Sequence, residues 1–141
     1  MSKQEEFREK LIQYQLLDSR IKALTNKRDL LLRKIFEIET TLFSVEEIEK
    51  SGGKRFLFSV GSDVNIPGLL EKSKKLVVNL GANVAIEKSI EETKKILEKR
   101  KSLLNNALKS IENELISLNE ELRRLEPEIR SLLEKVTKKK S

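Results

Sequence analysis

The chain has 141 residues, 37% of them charged, with a net charge of +6, five phenylalanines, one tyrosine and no tryptophan. That length fits one domain, but so polar a composition does not close a compact core, so the apolar surface must be buried along seams or against other chains. The absence of cysteine and histidine removes disulfides, thiol chemistry, the commonest general base and the commonest transition-metal ligand.

Residues 1–51 read as a first helical arm. Phe7, Tyr14, Ile21, Ile35 and Leu42 recur at one heptad position, and Leu17, Leu24, Leu31, Ile38 and Val45 at the other. Only Lys10 and Arg28 interrupt them. Heptads sustained over this length, with charges between them, predict a coiled coil rather than an ordinary surface helix. Ser51-Gly52-Gly53 stops the arm, because glycine takes the left-handed cap conformation most easily.

Residues 52–88 form a small β island that contains all five glycines and Pro67. A motif occurs in it twice, as Val60-Gly61-Ser62-Asp63-Val64-Asn65-Ile66 and Leu80-Gly81-Ala82-Asn83-Val84-Ala85-Ile86. Apolar residues alternate on both sides of each glycine-led polar step, which predicts two β-hairpins. Three-residue loops keep one face apolar by pairing Val60 with Val64, Phe58 with Ile66, Leu80 with Val84 and Val78 with Ile86. They place Asp63 and Asn83 in the left-handed conformation. Two hairpins make at most a four-stranded sheet with open edges and an uncovered apolar face. Phe56, Phe58, Val60, Val64, Ile66, Leu76, Val78, Leu80, Val84 and Ile86 are therefore expected to line a barrel or sandwich shared with other subunits.

Residues 89–141 read as a second arm with a lysine-rich tail. Ser89 and Glu92 form a capping box, and Ile90, Leu97, Leu104, Ile111, Leu118, Leu125 and Leu132 repeat every seventh residue. Leu108, Leu115, Leu122, Ile129 and Val136 fill the alternate seam, with Lys94 and Lys101 nearest the island loosening it or meeting other subunits. The arms have nearly equal length, about 45–48 residues or about 70 Å of helix. An antiparallel pairing that brings both termini to one tip is favoured, with a parallel dimer as the alternative. At that tip Leu11, Ile12, Leu16 and Leu133 lie off the seams, Val136 assists, and Pro127 sits inside a helix, where it is expected to kink or loosen the last turns. These residues form the candidate binding surface for apolar segments. The fold class is α+β: a long antiparallel two-helix coiled coil with two hairpins between the helices.

The order helix, two hairpins, helix, with Val60-Gly61-Ser62-Asp63-Val64-Asn65-Ile66-Pro67-Gly68 and Gly81-Ala82-Asn83-Val84-Ala85-Ile86-Glu87-Lys88, resembles the prefoldin family, in particular its archaeal alpha-type subunits. Two hairpins rather than one carry the alpha-type reading. Ser59-Val60-Gly61, where many alpha-type members have P-L-G, leaves a standard alpha subunit, a paralogue and a filament-forming branch all open. The resemblance implies an ATP-independent holdase in which two alpha-type and four beta-type subunits join through a β-barrel platform. Coiled-coil tips hold unfolded client proteins and pass them to a group II chaperonin.

Rival readings are weaker. The net positive charge and Lys138-Lys139-Lys140 fit phosphate contact or docking to an acidic chaperonin rim. Against a nucleic-acid partner, charges of both signs alternate along the arms and no aromatic stacking platform exists. A structural scaffold or filament shares the coiled coil but would not prefer unfolded clients. No nucleophile and base are arranged for catalysis, so no enzyme and no cofactor are expected. The longest uncharged run, Leu76–Ile86, is far short of the roughly 20 residues of a membrane span. Met1–Leu11 is charged throughout and lacks the apolar core of a signal peptide. These features predict a soluble cytoplasmic protein.

Overall fold

The computed structural model describes residues 2–72 and 75–138; Lys139 and Lys140 of the basic tail lie outside them. Helix α1 (Lys3–Lys50) leads into strands β1 (Arg55–Gly61), β2 (Val64–Leu69), β3 (Lys75–Gly81) and β4 (Val84–Ser89), and helix α2 (Ile90–Lys138) follows. Both helices are capped by serine. Ser2 Oγ accepts the Glu5 N–H at 3.2 Å and Ser89 Oγ accepts the Glu92 N–H at 3.1 Å, each satisfying a donor that the first helical turn leaves free. At the far end of α1, Gly53 turns the chain at φ +85°, and its N–H donates to the Leu70 carbonyl at 3.0 Å. The glycine stop thus doubles as the base of the first hairpin.

The chain divides into two compact units, residues 1–33 with 104–141 and residues 34–103. In the first, Leu24 and Leu31 of α1 and Ile111 and Leu115 of α2 are buried together, with Ile21, Leu104, Leu108 and Leu118 packed around them. The helices run antiparallel here, and ion pairs cross between them from Arg20 to Glu114 at 3.0 Å and from Lys10 to Glu128 at 2.9 Å. Of the two expected interruptions, Lys10 therefore reaches out to an acid. Arg28 remains in the seam with its Nε buried and without a hydrogen-bond partner.

In the second unit Val45, Ile90 and Leu97 are buried together, with Ile38, Leu42 and Leu76 against them. Lys94 and Lys101 do not open this part of the seam. Both are half-buried, and their ammonium groups reach Glu49 at 2.8 Å and Glu39 at 3.3 Å, as long basic side chains can do beside apolar surface. The hydrogen bond that Lys94 Nζ donates to Glu49, joined by the charges of Glu49, Glu46 and Glu91, outweighs desolvation and raises the Lys94 pKa. Every expected seam residue of α1 and α2 is buried or half-buried. Helix α2 continues through Pro127 to Lys138, although proline has no N–H to offer the Arg123 carbonyl.

The hairpins form two separate two-stranded antiparallel sheets rather than one four-stranded sheet. Phe58 pairs with Ile66 and Val78 with Ile86, as the alternation required. The loops differ from the three-residue expectation. Gly61 pairs with Val64 and Gly81 with Val84, and a register shift displaces Val60 and Leu80. The turns are two-residue turns with positive φ at both centres: 43° and 62° at Ser62 and Asp63, 50° and 61° at Ala82 and Asn83. This is the primed turn, whose twist matches that of the strands it joins, and a glycine-containing bulge beside it restores the apolar face. Asp63 and Asn83 are left-handed as expected; Ser62 and Ala82 are so as well.

Two predictions follow from this geometry. Leu115 is buried and its neighbour Ile116 is exposed, so Leu115→Ala should cost about 2–4 kcal/mol and Ile116→Ala less than about 0.5 kcal/mol in urea unfolding. Equal costs would place the seam wrongly. Gly81 has open space where a Cβ would stand but adopts φ +99°. Gly81→Ala should therefore weaken the second hairpin by about 1–2 kcal/mol of backbone strain, read as faster amide exchange at Val78 and Ile86 with the helices unaffected.

Candidate functional site

At the end of the first unit that carries both chain termini, the two sides of the helix pair differ in chemistry. One side is charged: Lys10, Gln13, Glu121, Arg124 and Glu128 border a polar hollow there. On the other side Leu11 and Leu133 stand beside the seam residues Tyr14 and Ile129 and form a shallow groove of about 350 Å³ rimmed by Glu126 and Arg130. Leu11 also borders a second hollow of about 340 Å³ with Phe7 and Val136. The cause is the heptad. Leu11 and Leu133 each follow a seam position by one residue, and in an antiparallel pair these positions share a side. The structure thus brings together Leu11, Leu133 and Val136. Ile12 and Leu16 do not join them: both are exposed on the outer side of α1, Leu16 at 67% against 37% for Leu11.

The groove walls are leucine, isoleucine and the tyrosine ring. Such a site offers apolar contact without a fixed shape, and its rim charges stay in water. Among the described residues no group of acidic side chains is arranged to hold a metal ion, and no helix is long and apolar enough to cross a membrane.

The hairpins are a second exposed apolar surface. Phe58, Val60, Val64 and Ile66 of the first and Leu80, Val84 and Ile86 of the second stand open, while Phe56 and Leu76 are half-buried. Val78, at 8% exposure, is buried, and Leu76 packs on the helix-root cluster of Val45, Ile90 and Leu97. One end of the second hairpin is therefore anchored within the chain. The ring of Phe58 lies so close to Gly68 that a Cβ there would sit 2.8 Å from it, so glycine permits this aromatic to spread over its own hairpin.

Sequence alternation missed the reverse faces. Leu57, Leu69 and Val77 are more exposed than the residues singled out, Leu69 reaching 76%. The available signal was the unbroken apolar runs Phe56-Leu57-Phe58 and Leu76-Val77-Val78, the pattern of strands covered on both sides. Phe36 and Phe43, exposed one heptad apart on α1, each follow the seam residues Ile35 and Leu42 by one position, so the heptad pattern does not single them out.

Comparison with known proteins agrees with this architecture. A family model described as prefoldin subunit matches residues 17–135, and the chain belongs to the prefoldin family, whose members are non-enzymatic chaperones. Prefoldin subunit alpha of Thermofilum pendens is 28% identical over 96 residues, covering 67% of this chain and 74% of that protein. Prefoldin subunit alpha of Nitrosopumilus maritimus is 25% identical over 97 residues, covering 69% and 67%. The chain is thus of the alpha type, with a prefoldin chaperone role and other prefoldin subunits as its implied partners. A cryo-EM structure of filamentous PFD from Methanocaldococcus jannaschii is similar at a TM-score of 0.70 and 25% identity, covering 81% of this chain and 95% of that one.

If Leu11 and Leu133 form an accessible apolar groove, replacing both by serine should lower the fluorescence of a bound hydrophobic dye while changing stability by less than about 1 kcal/mol. A large loss of helicity would instead mark them as core.

Proposed function

We propose that this chain is the alpha-type subunit of an ATP-independent cytoplasmic holdase that captures unfolded proteins at its paired helix ends and passes them to a group II chaperonin. The observation that carries this reading is the apolar groove of Leu11, Leu133 and Val136 on one side of the helix pair. Non-native chains expose apolar segments of no fixed sequence, so a catcher needs open apolar surface rather than a shaped pocket. Several weak contacts on separate subunits then gain affinity by avidity. Ile12 and Leu16, on the outer side at the same end, extend this surface around α1.

Assembly rests on the hairpins. Phe56, Phe58, Val60, Val64, Ile66, Leu76, Val78, Leu80, Val84 and Ile86 line the platform, half-buried Leu76 holding it to the helix roots and the open members meeting beta-type subunits, two alpha with four beta. Open strand edges and uncovered apolar faces are natural pairing sites. A second reading, a filament built from the same platform, draws on the likeness to the filamentous assembly from Methanocaldococcus jannaschii and on hairpins that are apolar on both faces.

The test is light scattering of a chemically unfolded protein diluted into buffer without nucleotide, in the presence of this chain and a beta-type partner. Aggregation should be suppressed by the wild type and restored by Leu11→Ser with Leu133→Ser. Serine at Ile66, Val84 and Ile86 should dissociate the assembly, seen by sedimentation, with helicity retained. An intact oligomer that suppresses nothing would favour the scaffold or filament.

A further inference from the structure

The two hairpins repeat one motif and one register, yet they do not pair with each other. In an antiparallel pair, residues that exchange hydrogen bonds with the partner strand alternate with residues whose N–H and C=O point away from it, toward the sheet edge. The phase is set at the base of the first hairpin, where the Leu70 N–H donates to the Lys54 carbonyl at 3.0 Å. Counting in twos along the register from there, Phe56 with Gly68 and Phe58 with Ile66 are the bonded pairs. Arg55, Leu57 and Ser59 of β1 and Asn65, Pro67 and Leu69 of β2 then point to the edges. The second hairpin has the same turn and the same bulge, so Val77 and Asn79 of β3 and Ala85 and Glu87 of β4 point to its edges.

Two of these four edges are closed. Pro67 occupies the middle edge-pointing position of β2, where it leaves the hairpin's own bonds intact but has no N–H for a further strand. The equivalent residue of the second motif, twenty positions on, is Glu87, which keeps its N–H. On β3 the Asn79 carbonyl is already engaged: the Arg100 guanidinium on α2 donates to it at 3.1 Å, and Leu76 of the same strand packs on the helix-root cluster. The closed edges belong to the strands that follow one another in the chain, which accounts for two separate sheets. On β1 and β4, Arg55, Leu57, Ser59, Ala85 and Glu87 are exposed, and neither strand contains proline.

We propose that β1 and β4 are the two edges through which strands of beta-type subunits continue the platform, and that Pro67 and Arg100 direct them there by closing β2 and β3. A row of edge-pointing N–H and C=O groups is matched by extended backbone, so the occupant is a strand. The inference rests on the platform reading, which assigns beta-type subunits to these hairpins, and adds which backbone groups meet them.

The test is residue-resolved amide exchange of the full chain, alone and assembled with a beta-type partner. On assembly the amides of Leu57, Ser59, Ala85 and Glu87 should slow by at least about tenfold, while those of Asn65, Leu69 and Val77 exchange as before. Leu57→Pro and Glu87→Pro each copy the Pro67 block onto an open edge, removing an N–H that the hairpin does not use. Both should dissociate the assembly in sedimentation, with the amides of Phe58 and Ile66, or of Val78 and Ile86, still protected. Val77→Pro, the same change on a closed edge, should assemble as wild type. Equal protection of Asn65, Leu69 and Val77, or proline variants that assemble with their hairpins intact, would overturn the inference and leave the platform standing. Failure of the wild type to assemble at all would overturn both. Protection of the β1 and β4 edges in the chain alone would assign them to a second copy and overturn the choice of partner.

Discussion

A two-helix seam buries two positions in every seven, and that limit governs the rest of this structure. Among the described residues no large side chain is completely withdrawn from solvent; apart from Val78 of β3 and Thr93, the buried residues are leucine, isoleucine and valine at the seam positions of α1 and α2. Apolar residues beyond that line have nowhere in the chain to go. Leu11 and Leu133 fall beside the seam and make a groove, Ile12, Leu16 and Leu30 fall opposite it and stay exposed, and the hairpins keep their faces open because no helix lies over most of them. A globular domain would hide such residues in a core. Here their exposure follows directly from the architecture and becomes available for binding.

The seam itself carries polar contacts as well as apolar ones. Lys94 and Lys101 stand at positions that a regular seam would give to leucine, and each is accommodated because an acid of α1 lies within reach of its ammonium group. Ion pairs this accessible contribute little net stability. What they provide is a place for each ammonium group beside the seam, so that neither lysine is left as an unpaired charge there.

Much of this was legible in the sequence, and the reasons are physical. The seams could be read because burial at heptad spacing leaves a periodic trace, and the cap at Ser89 because serine and glutamate three apart have a specific role there. The pairing of Phe58 with Ile66 followed from the two-residue period of strands. The turns were read one residue too long, since Ser62 and Ala82 are not residues that announce positive φ, and the bulge at each glycine absorbs the difference without disturbing the apolar face. The grouping of Leu11 with Leu133, and the separation of Ile12 and Leu16 from them, required knowing which side of the pair each residue takes. Ion pairing at Lys94 and Lys101 was hidden for a related reason: a charge in a seam reads as a defect until its partner on the other helix is placed.

Client capture at the paired helix ends makes a positional claim, and site-specific photo-crosslinking tests it most directly. A photoreactive group is placed at position 133 or at position 116 of the assembled oligomer, and an unfolded client is added without nucleotide. Ile116 is the more exposed of the two, 59% against 49% for Leu133, so general stickiness would favour it. Crosslinks to the unfolded client from position 133 and few from position 116, with none to the folded client, are the predicted result. Equal or greater crosslinking from position 116 would contradict the account.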